Sequence, residues 1–166
     1  RIPLGLFSQY TAAGDIRTIE RAFPEMKTET TGHSQFQLLL MRLWQIVRDV
    51  TKLEHILQII AHQVAVYARF GKFGSNAPEG IHQDGVPFIV SALMVERKRI
   101  GGGESVVYGE DKKTVYLRKI LRPGEGIFQA DTGSPFWHDV SPIFLDQPAV
   151  YKEGVRSIFG FDIRIL

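Results

Sequence analysis

The chain has 166 residues, of which 44% are hydrophobic and 23% are charged, the composition of an ordinary soluble globular protein. This length predicts one domain around one core. The 20 basic and 18 acidic side chains give a net charge of +2 with no basic half, which argues against nucleic acid as a partner. No apolar run approaches the roughly 20 residues of a membrane span, so no membrane partner is expected.

The chain contains no cysteine, which excludes disulfides, thiolate metal sites and a cysteine nucleophile. This composition permits a cytoplasmic location, which we expect. The first residues, Arg1-Ile2-Pro3, carry no secretory signal, and a start without methionine is typical of an excerpt or a processed chain.

Capping residues and periodicity assign three segments near the N-terminus. Residues 15–23 predict a short helix, because Asp15 can cap it and Pro24 ends it. Residues 28–32 are polar and rich in threonine, which predicts a loop. Residues 34–50 predict an amphipathic helix with apolar residues every three or four positions, namely Phe36, Leu39, Leu40, Leu43, Ile46, Val47 and Val50.

After this helix the period of the apolar pattern changes from 3.6 to two, which is typical of strands. The alternation and the intervening turn residues predict seven strands, near 60–70, 87–96, 104–109, 113–121, 126–130, 136–141 and 155–165. We therefore predict a mainly β fold in a single domain, 1–166. A helical part, 1–50, would buttress one face of a double-sheet roll, or jelly roll, over 54–166.

A glycine run and a basic run stand between two of these strands. Gly101-Gly102-Gly103 predicts a hairpin rather than a phosphate-binding loop, because a strand and not a helix follows it. The preceding Arg97-Lys98-Arg99 would lie at the tip of this hairpin as a solvated edge.

Three residues form a candidate metal site. His82 and Asp84 are two positions apart, so on an extended backbone their side chains project from the same face. His138 follows in a strand-like segment that a roll could bring alongside the first pair. Two imidazoles and one carboxylate on one face of a metal, with the remaining positions open, are typical of non-haem Fe(II) oxygenases. We therefore predict that His82, Asp84 and His138 are metal ligands and catalytic residues.

A candidate for binding a carboxylate follows the third ligand. Arg156 lies in the last predicted strand, which we expect beside the strand of His138. A guanidinium is a planar, bidentate donor that suits a carboxylate at the base of a metal pocket. Arg118, Arg122 and Arg164 are the competing arginines.

The order of these residues resembles that of the Fe(II)- and 2-oxoglutarate-dependent dioxygenases. That family carries an H-x-D ligand pair, here His82-Gln83-Asp84, then a distant histidine and a later arginine. More narrowly, three segments resemble the subgroup of bacterial L-isoleucine 4-dioxygenase and related free amino-acid hydroxylases: His62-Gln63-Val64, Ile100-Gly101-Gly102-Gly103-Glu104 and His138-Asp139-Val140-Ser141-Pro142. The resemblance covers roughly residues 60–166.

The resemblance implies a double-stranded β-helix, cupin-like fold and a set of cofactors. These are Fe(II), 2-oxoglutarate as cosubstrate and O2, with ascorbate sustaining activity. His82, Asp84 and His138 would hold the iron, and Arg156 would bind the far carboxylate of 2-oxoglutarate. The reaction would hydroxylate an unactivated C–H bond of a small molecule, a free L-amino acid, and release succinate and CO2; the hard chemistry belongs to the metal and the cosubstrate.

Four further side chains are predicted to contact the substrate: Gln63, Tyr67, Glu104 and Trp137. His62 and Gln63 lie on opposite faces of one strand, so only one of them can point into the roll. Residues 70–79 precede the H-x-D pair and predict either a lid over the site or an ordinary flexible connection.

Two other functions remain open at this stage. A peptide or protein side-chain hydroxylase of the same class would show an open groove in place of a closed pocket. A non-catalytic, metal-binding β-roll would be expected to have lost one of the four chemical positions, and all four are present.

Overall fold

In the computed structural model, the described residues are 6–7, 21–22, 24–54 and 56–166. They form two helices and eleven strands: β1 Leu6–Phe7, β2 Arg21–Ala22, α1 Thr28–Thr31, α2 Ser34–Thr51, β3 Leu57–Arg69, β4 Phe88–Lys98, β5 Ile100–Gly102, β6 Glu104–Tyr108, β7 Val115–Ile120, β8 Gly126–Ala130, β9 Trp137–Val140, β10 Ile143–Leu145 and β11 Glu153–Ile165. The protein is therefore mainly β. No helix in these ranges is long and apolar enough to span a membrane.

The chain divides into two compact units, residues 1–60 with 163–166 and residues 61–162. In the first unit, α2 confirms the amphipathic helix, and its buried side chains are Phe36, Leu43 and Val47. Two positions of the predicted stripe, Ile46 and Val50, are instead exposed.

Two predictions in this unit differ from the structure. The loop predicted over 28–32 is wrong, because Thr28–Thr31 form the short helix α1. The helix predicted over 15–23 lies largely outside the described residues. Its two described residues, Arg21 and Ala22, pair with β1 as strand β2, so the prediction is wrong at these two positions.

The larger unit, 61–162, contains the predicted roll. Its main sheets have the strand orders β3-β11-β4-β8 and β7-β6-β9. Buried side chains from both sheets form one core cluster, so the two sheets face each other across an apolar layer. The members of this cluster are Ala92, Met94, Val107, Leu121, Ile127 and Ile158, with Val64 and Phe136 packed against them. Each fully buried aliphatic side chain contributes about 2 kcal/mol to folding.

The glycine run does not form the predicted hairpin. β5, which contains Gly101 and Gly102, pairs antiparallel with β10, a second strand that the sequence pattern missed. A Cβ on Gly101 would lie within 2.5 Å of the Phe144 ring, so glycine is needed where this aromatic side chain covers the strand. Glycine is a poor strand former, which is why period-two reasoning overlooked β5.

Candidate metal centre

His82 and His138 form a directly opposed backbone pair, and this pairing builds the site. The N–H of each donates to the carbonyl oxygen of the other at 3.0 Å, and the two ring centroids are 4.3 Å apart. His138 lies in β9, and Asp84 follows His82 by two residues. One ligand atom from each of the three lies within 4.8 Å of the others. The structure thus brings the three predicted ligands together.

Hydrogen bonds orient the imidazoles toward the carboxylate. His82 Nδ1 donates to the carbonyl oxygen of Gly80 at 2.7 Å, which leaves Nε2 facing Asp84 Oδ1 at 3.4 Å. His138 Nε2 lies 3.5 Å from the other oxygen, Oδ2, of Asp84. A metal-binding histidine commonly donates its second ring N–H to a carbonyl or carboxylate, which fixes the tautomer that can ligate. His82 has this arrangement.

The cluster is electrostatically coupled. Burial lowers the pKa of His82, but the hydrogen bond and charge of Asp84, with the Gly80 carbonyl, leave that pKa above its usual value. Burial raises the pKa of Asp84, yet the hydrogen bond to His82 and the charges of the histidines hold it below its usual value. These shifts favour an ionised carboxylate, the form that binds a cation.

Asp131 connects the segment that contains Asp84 with the ring of His138. Its side chain is fully buried, and Oδ2 accepts the backbone N–H groups of Asp84 at 2.8 Å and Gly85 at 2.9 Å. Its other oxygen, Oδ1, lies 3.9 Å from His138 Nδ1. Burial and the charge of Asp84 raise the pKa of Asp131, against the opposing effect of the N–H donors. Asp131 therefore holds the segment of one ligand and borders the ring of another.

Gln83, the residue between the first two ligands, makes the reciprocal connection. Its Nε2 donates to three backbone carbonyls, those of Asp131 at 3.0 Å, Ser134 at 3.1 Å and Phe136 at 2.8 Å. The segment 82–85 and the segment 131–136 are thus tied in both directions, side chain to backbone. Such hydrogen bonds fix the ligands before a metal binds.

Arg156 is a buried cation in β11, and the prediction that its strand lies beside that of His138 is wrong, because β11 lies between β3 and β4 whereas β9 pairs with β6 in the other sheet. Its side chain is 2% exposed, and Nε and Nη1 have no hydrogen-bond partner among the described residues. Burial and the charge of Arg97 lower the pKa of Arg156 to about 10, so it stays charged at neutral pH. An unpaired buried charge is costly, and a carboxylate would satisfy it. The competing arginines, Arg118, Arg122 and Arg164, are exposed.

The structure places the four predicted substrate residues in varied surroundings. Gln63 and Tyr67 are exposed, on the face of β3 opposite to His62. Glu104 accepts a hydrogen bond from Arg118 at 2.8 Å. The Trp137 ring lies 3.5 Å from Lys112 Nζ and, as the neighbour of His138 in β9, points to the opposite face. Substrate contact by these four side chains stays a prediction.

Two polar groups beside the cluster were not among the predicted site residues. Glu79 Oε1 lies 3.4 Å from His82 Nε2. His62 Nε2 lies 3.1 Å from Asp162 Oδ2, and the charge of Asp84 also helps raise the pKa of His62. The alternation of β3 was the available signal for His62, whereas nothing in the sequence pattern distinguished Glu79.

The donor set fits a particular class of metal protein. Two imidazoles and one carboxylate suit Fe(II) and leave positions open for other ligands, and a buried guanidinium suits an anionic cosubstrate. These features define a non-haem iron site on a jelly-roll fold.

A family comparison agrees with this class. The model of the 2OG-Fe dioxygenase family matches residues 7–162, and the chain therefore belongs to that family. The family uses Fe(II), 2-oxoglutarate and O2. Comparison with curated proteins gives no match.

Three chains among the solved structures have a similar fold. A BsmA homolog from Methylobium petroleophilum PM1 has a TM-score of 0.73 and 22% identity, over 88% of this chain and 56% of that chain. IDO from Bacillus thuringiensis has a TM-score of 0.74 and 15% identity, over 87% and 63%. The Fe(II)/(alpha)ketoglutarate-dependent dioxygenase TqaL has a TM-score of 0.69 and 18% identity, over 86% and 57%. The chain thus spans 56 to 63% of the length of these relatives.

Proposed function

We propose that this protein is an Fe(II)- and 2-oxoglutarate-dependent dioxygenase that hydroxylates a free L-amino acid. The main support for this proposal is the cluster of His82, Asp84 and His138, in a chain that the family model matches over most of its length. These three residues would hold the iron, and Arg156 would bind the distal carboxylate of 2-oxoglutarate.

When bound, the iron and its cosubstrate supply the oxygen chemistry: 2-oxoglutarate and O2 are converted to succinate and CO2, and one oxygen atom enters a C–H bond of the substrate. The residues of the chain would position the iron and its cosubstrate and shield them from water. The Gly80 carbonyl fixes the ring of His82, and the bonds of Gln83 and Asp131 fix the backbone around Asp84. A preorganised ligand set needs no rearrangement when the metal binds.

Two features support an amino acid as the substrate. The first is the resemblance of three sequence segments to free amino-acid hydroxylases. The second is Glu79, whose carboxylate lies next to a ligand atom of His82 and whose side chain is 14% exposed. A largely buried carboxylate beside the reacting centre suits the ammonium group of an amino acid.

The test is an aerobic incubation with Fe(II), ascorbate, 2-oxoglutarate and pooled free amino acids, with mass spectrometry of succinate and of products heavier by one oxygen. We expect an oxygenated amino acid in proportion to succinate, and neither with His82→Ala. Succinate without such a product would refute the amino-acid substrate and direct the search to peptides. If the iron-loaded protein releases no succinate under any of these conditions, the enzymatic proposal fails.

A glutamate variant sharpens the substrate assignment. Glu79→Gln should raise the KM for the amino acid while leaving the affinity for 2-oxoglutarate unchanged. Glu153→Gln is the matched control, because that carboxylate is already paired with Arg69 and lies outside the predicted site residues. Equal effects of the two substitutions would contradict a specific role for Glu79.

A further inference from the structure

Arg97 is a second, partly buried cation near Arg156, although the sequence suggested a solvated hairpin tip. It lies in β4 and is half-buried, whereas the next two residues of the basic run, Lys98 and Arg99, are exposed. Burial lowers the pKa of Arg97. The predicted solvation of this residue is therefore wrong.

The guanidinium of Arg97 is only partly satisfied. Nη2 donates to the carbonyl oxygen of Gly102, which holds the side chain against β5. Nη1 is buried and has no hydrogen-bond partner among the described residues. One terminal nitrogen of the guanidinium, Nη2, is thus hydrogen-bonded, and the other, Nη1, is available to a ligand.

Arg97 and Arg156 both lie next to Gly103. A Cβ placed on Gly103 would lie 3.0 Å from Arg97 Nη1 and 3.2 Å from Arg156 Cδ. Gly103 also has a φ of +65°, a conformation that favours glycine. A side chain at position 103 would therefore press against both arginine side chains, and glycine leaves this space free.

Two neighbouring cations with unsatisfied N–H groups repel each other and require an anion. The charge of Arg97 acts on Arg156, and three buried guanidinium nitrogens of the pair lack a partner among the described residues. A carboxylate accepts up to four hydrogen bonds, so two guanidinium groups can share it.

We propose that Arg97 binds the distal carboxylate of 2-oxoglutarate together with Arg156. This inference rests on the proposed function, in which 2-oxoglutarate is the cosubstrate. Arg97 thereby contributes to the choice of a dicarboxylate over a 2-oxo acid that ends in a methyl group.

The experiment measures ligand binding by calorimetry on the Co(II)-loaded protein without substrate. The ligands are 2-oxoglutarate and 2-oxopentanoate, which has the same carbon chain but no distal carboxylate. The variants are Arg97→Gln, Arg97→Lys and the control Lys98→Gln, which removes the same charge from an exposed neighbour.

We expect Arg97→Gln to weaken binding of 2-oxoglutarate about tenfold and to leave 2-oxopentanoate unchanged. Arg97→Lys should weaken 2-oxoglutarate less, because it keeps the cation, and it replaces the glutamine variant if that does not fold. Lys98→Gln should change neither ligand. Equal losses for both ligands, or no loss for 2-oxoglutarate, would overturn the role of Arg97. Failure of the wild-type protein to bind 2-oxoglutarate would overturn the proposed function instead.

Discussion

The proposed site has a metal end, formed by His82, Asp84 and His138, and an arginine end, formed by Arg97 and Arg156, and the two differ in how completely their polar groups are satisfied. At the metal end, the backbone of His82 and the side chains of Gln83 and Asp131 make hydrogen bonds that tie two chain segments together. At the other end, Arg97 and Arg156 have buried nitrogens without a partner in the described part of the chain. The comparison teaches that the protein organises the metal end with its own hydrogen bonds, whereas we propose that a bound ligand balances the charge of the arginine end.

The largest effect is expected at the metal end. His138→Ala removes one of three ligands and should abolish Co(II) binding and turnover. Wild-type protein with metal at about 100 times its Kd should gain ~2.7 kcal/mol of stability, and the variant should gain none. Thermal unfolding with and without Co(II) measures this. His33→Ala, at the exposed start of α2, is the control and should keep the full gain.

At the arginine end, removal of a charged group should raise the stability of the ligand-free protein instead of lowering it. Arg156→Met should weaken 2-oxoglutarate about 100-fold, because a charge-assisted contact of roughly 2–5 kcal/mol is lost. The same variant should raise the melting temperature of the ligand-free protein, because an unpaired buried charge is removed. Calorimetry and thermal unfolding check the two parts. Arg118→Met, at an exposed ion pair, should show neither change, and a destabilised Arg156→Met would contradict the contrast between the ends.

Asp131 tests whether the metal end is preorganised. Asp131→Ala should destabilise the protein by about 1–3 kcal/mol, since it leaves backbone donors unsatisfied. It should also lower Co(II) affinity by about 10–100-fold, as is usual for groups that orient metal ligands. Asp111→Ala is a matched control, because Asp111 also accepts two backbone N–H groups, but in an exposed turn. If both variants bind Co(II) as the wild type does, Asp131 has no positioning role.

The smallest effect concerns the pair His62–Asp162. Burial lowers the pKa of His62, but the hydrogen bond and charge of Asp162, with the charge of Asp84, leave it above 6.5. A raised folded-state pKa stabilises the protein fully below pH 6.5, and this contribution is lost as the pH rises through the folded pKa. His62→Gln should therefore cost about 1 kcal/mol at pH 6 and less at pH 9. Urea unfolding at the two pH values measures it, and a cost that grows with pH would contradict the assignment.

The sequence was informative about elements with a regular apolar pattern and about side chains that can bind a metal. The period-two pattern located β3, β4, β6 to β9 and β11, and the apolar stripe located α2. The two-residue spacing of His82 and Asp84 indicated a shared face, which the structure shows. β5 and β10 were missed because each has only three residues, and the glycines of β5 obscure the alternation.

The sequence by itself determined the mainly β fold and singled out the candidate metal-binding side chains, because periodicity and donor chemistry are local properties. Only the tertiary structure decided that Asp131 and Gln83 join the two ligand segments and that Arg97 and Arg156 both lie next to Gly103. The hydrogen-bonded partners among them lie up to 53 residues apart, as for Gln83 and Phe136. Burial and the absence of a partner among the described residues are properties of the packed chain, and they are the grounds on which Arg97 is proposed as part of the site.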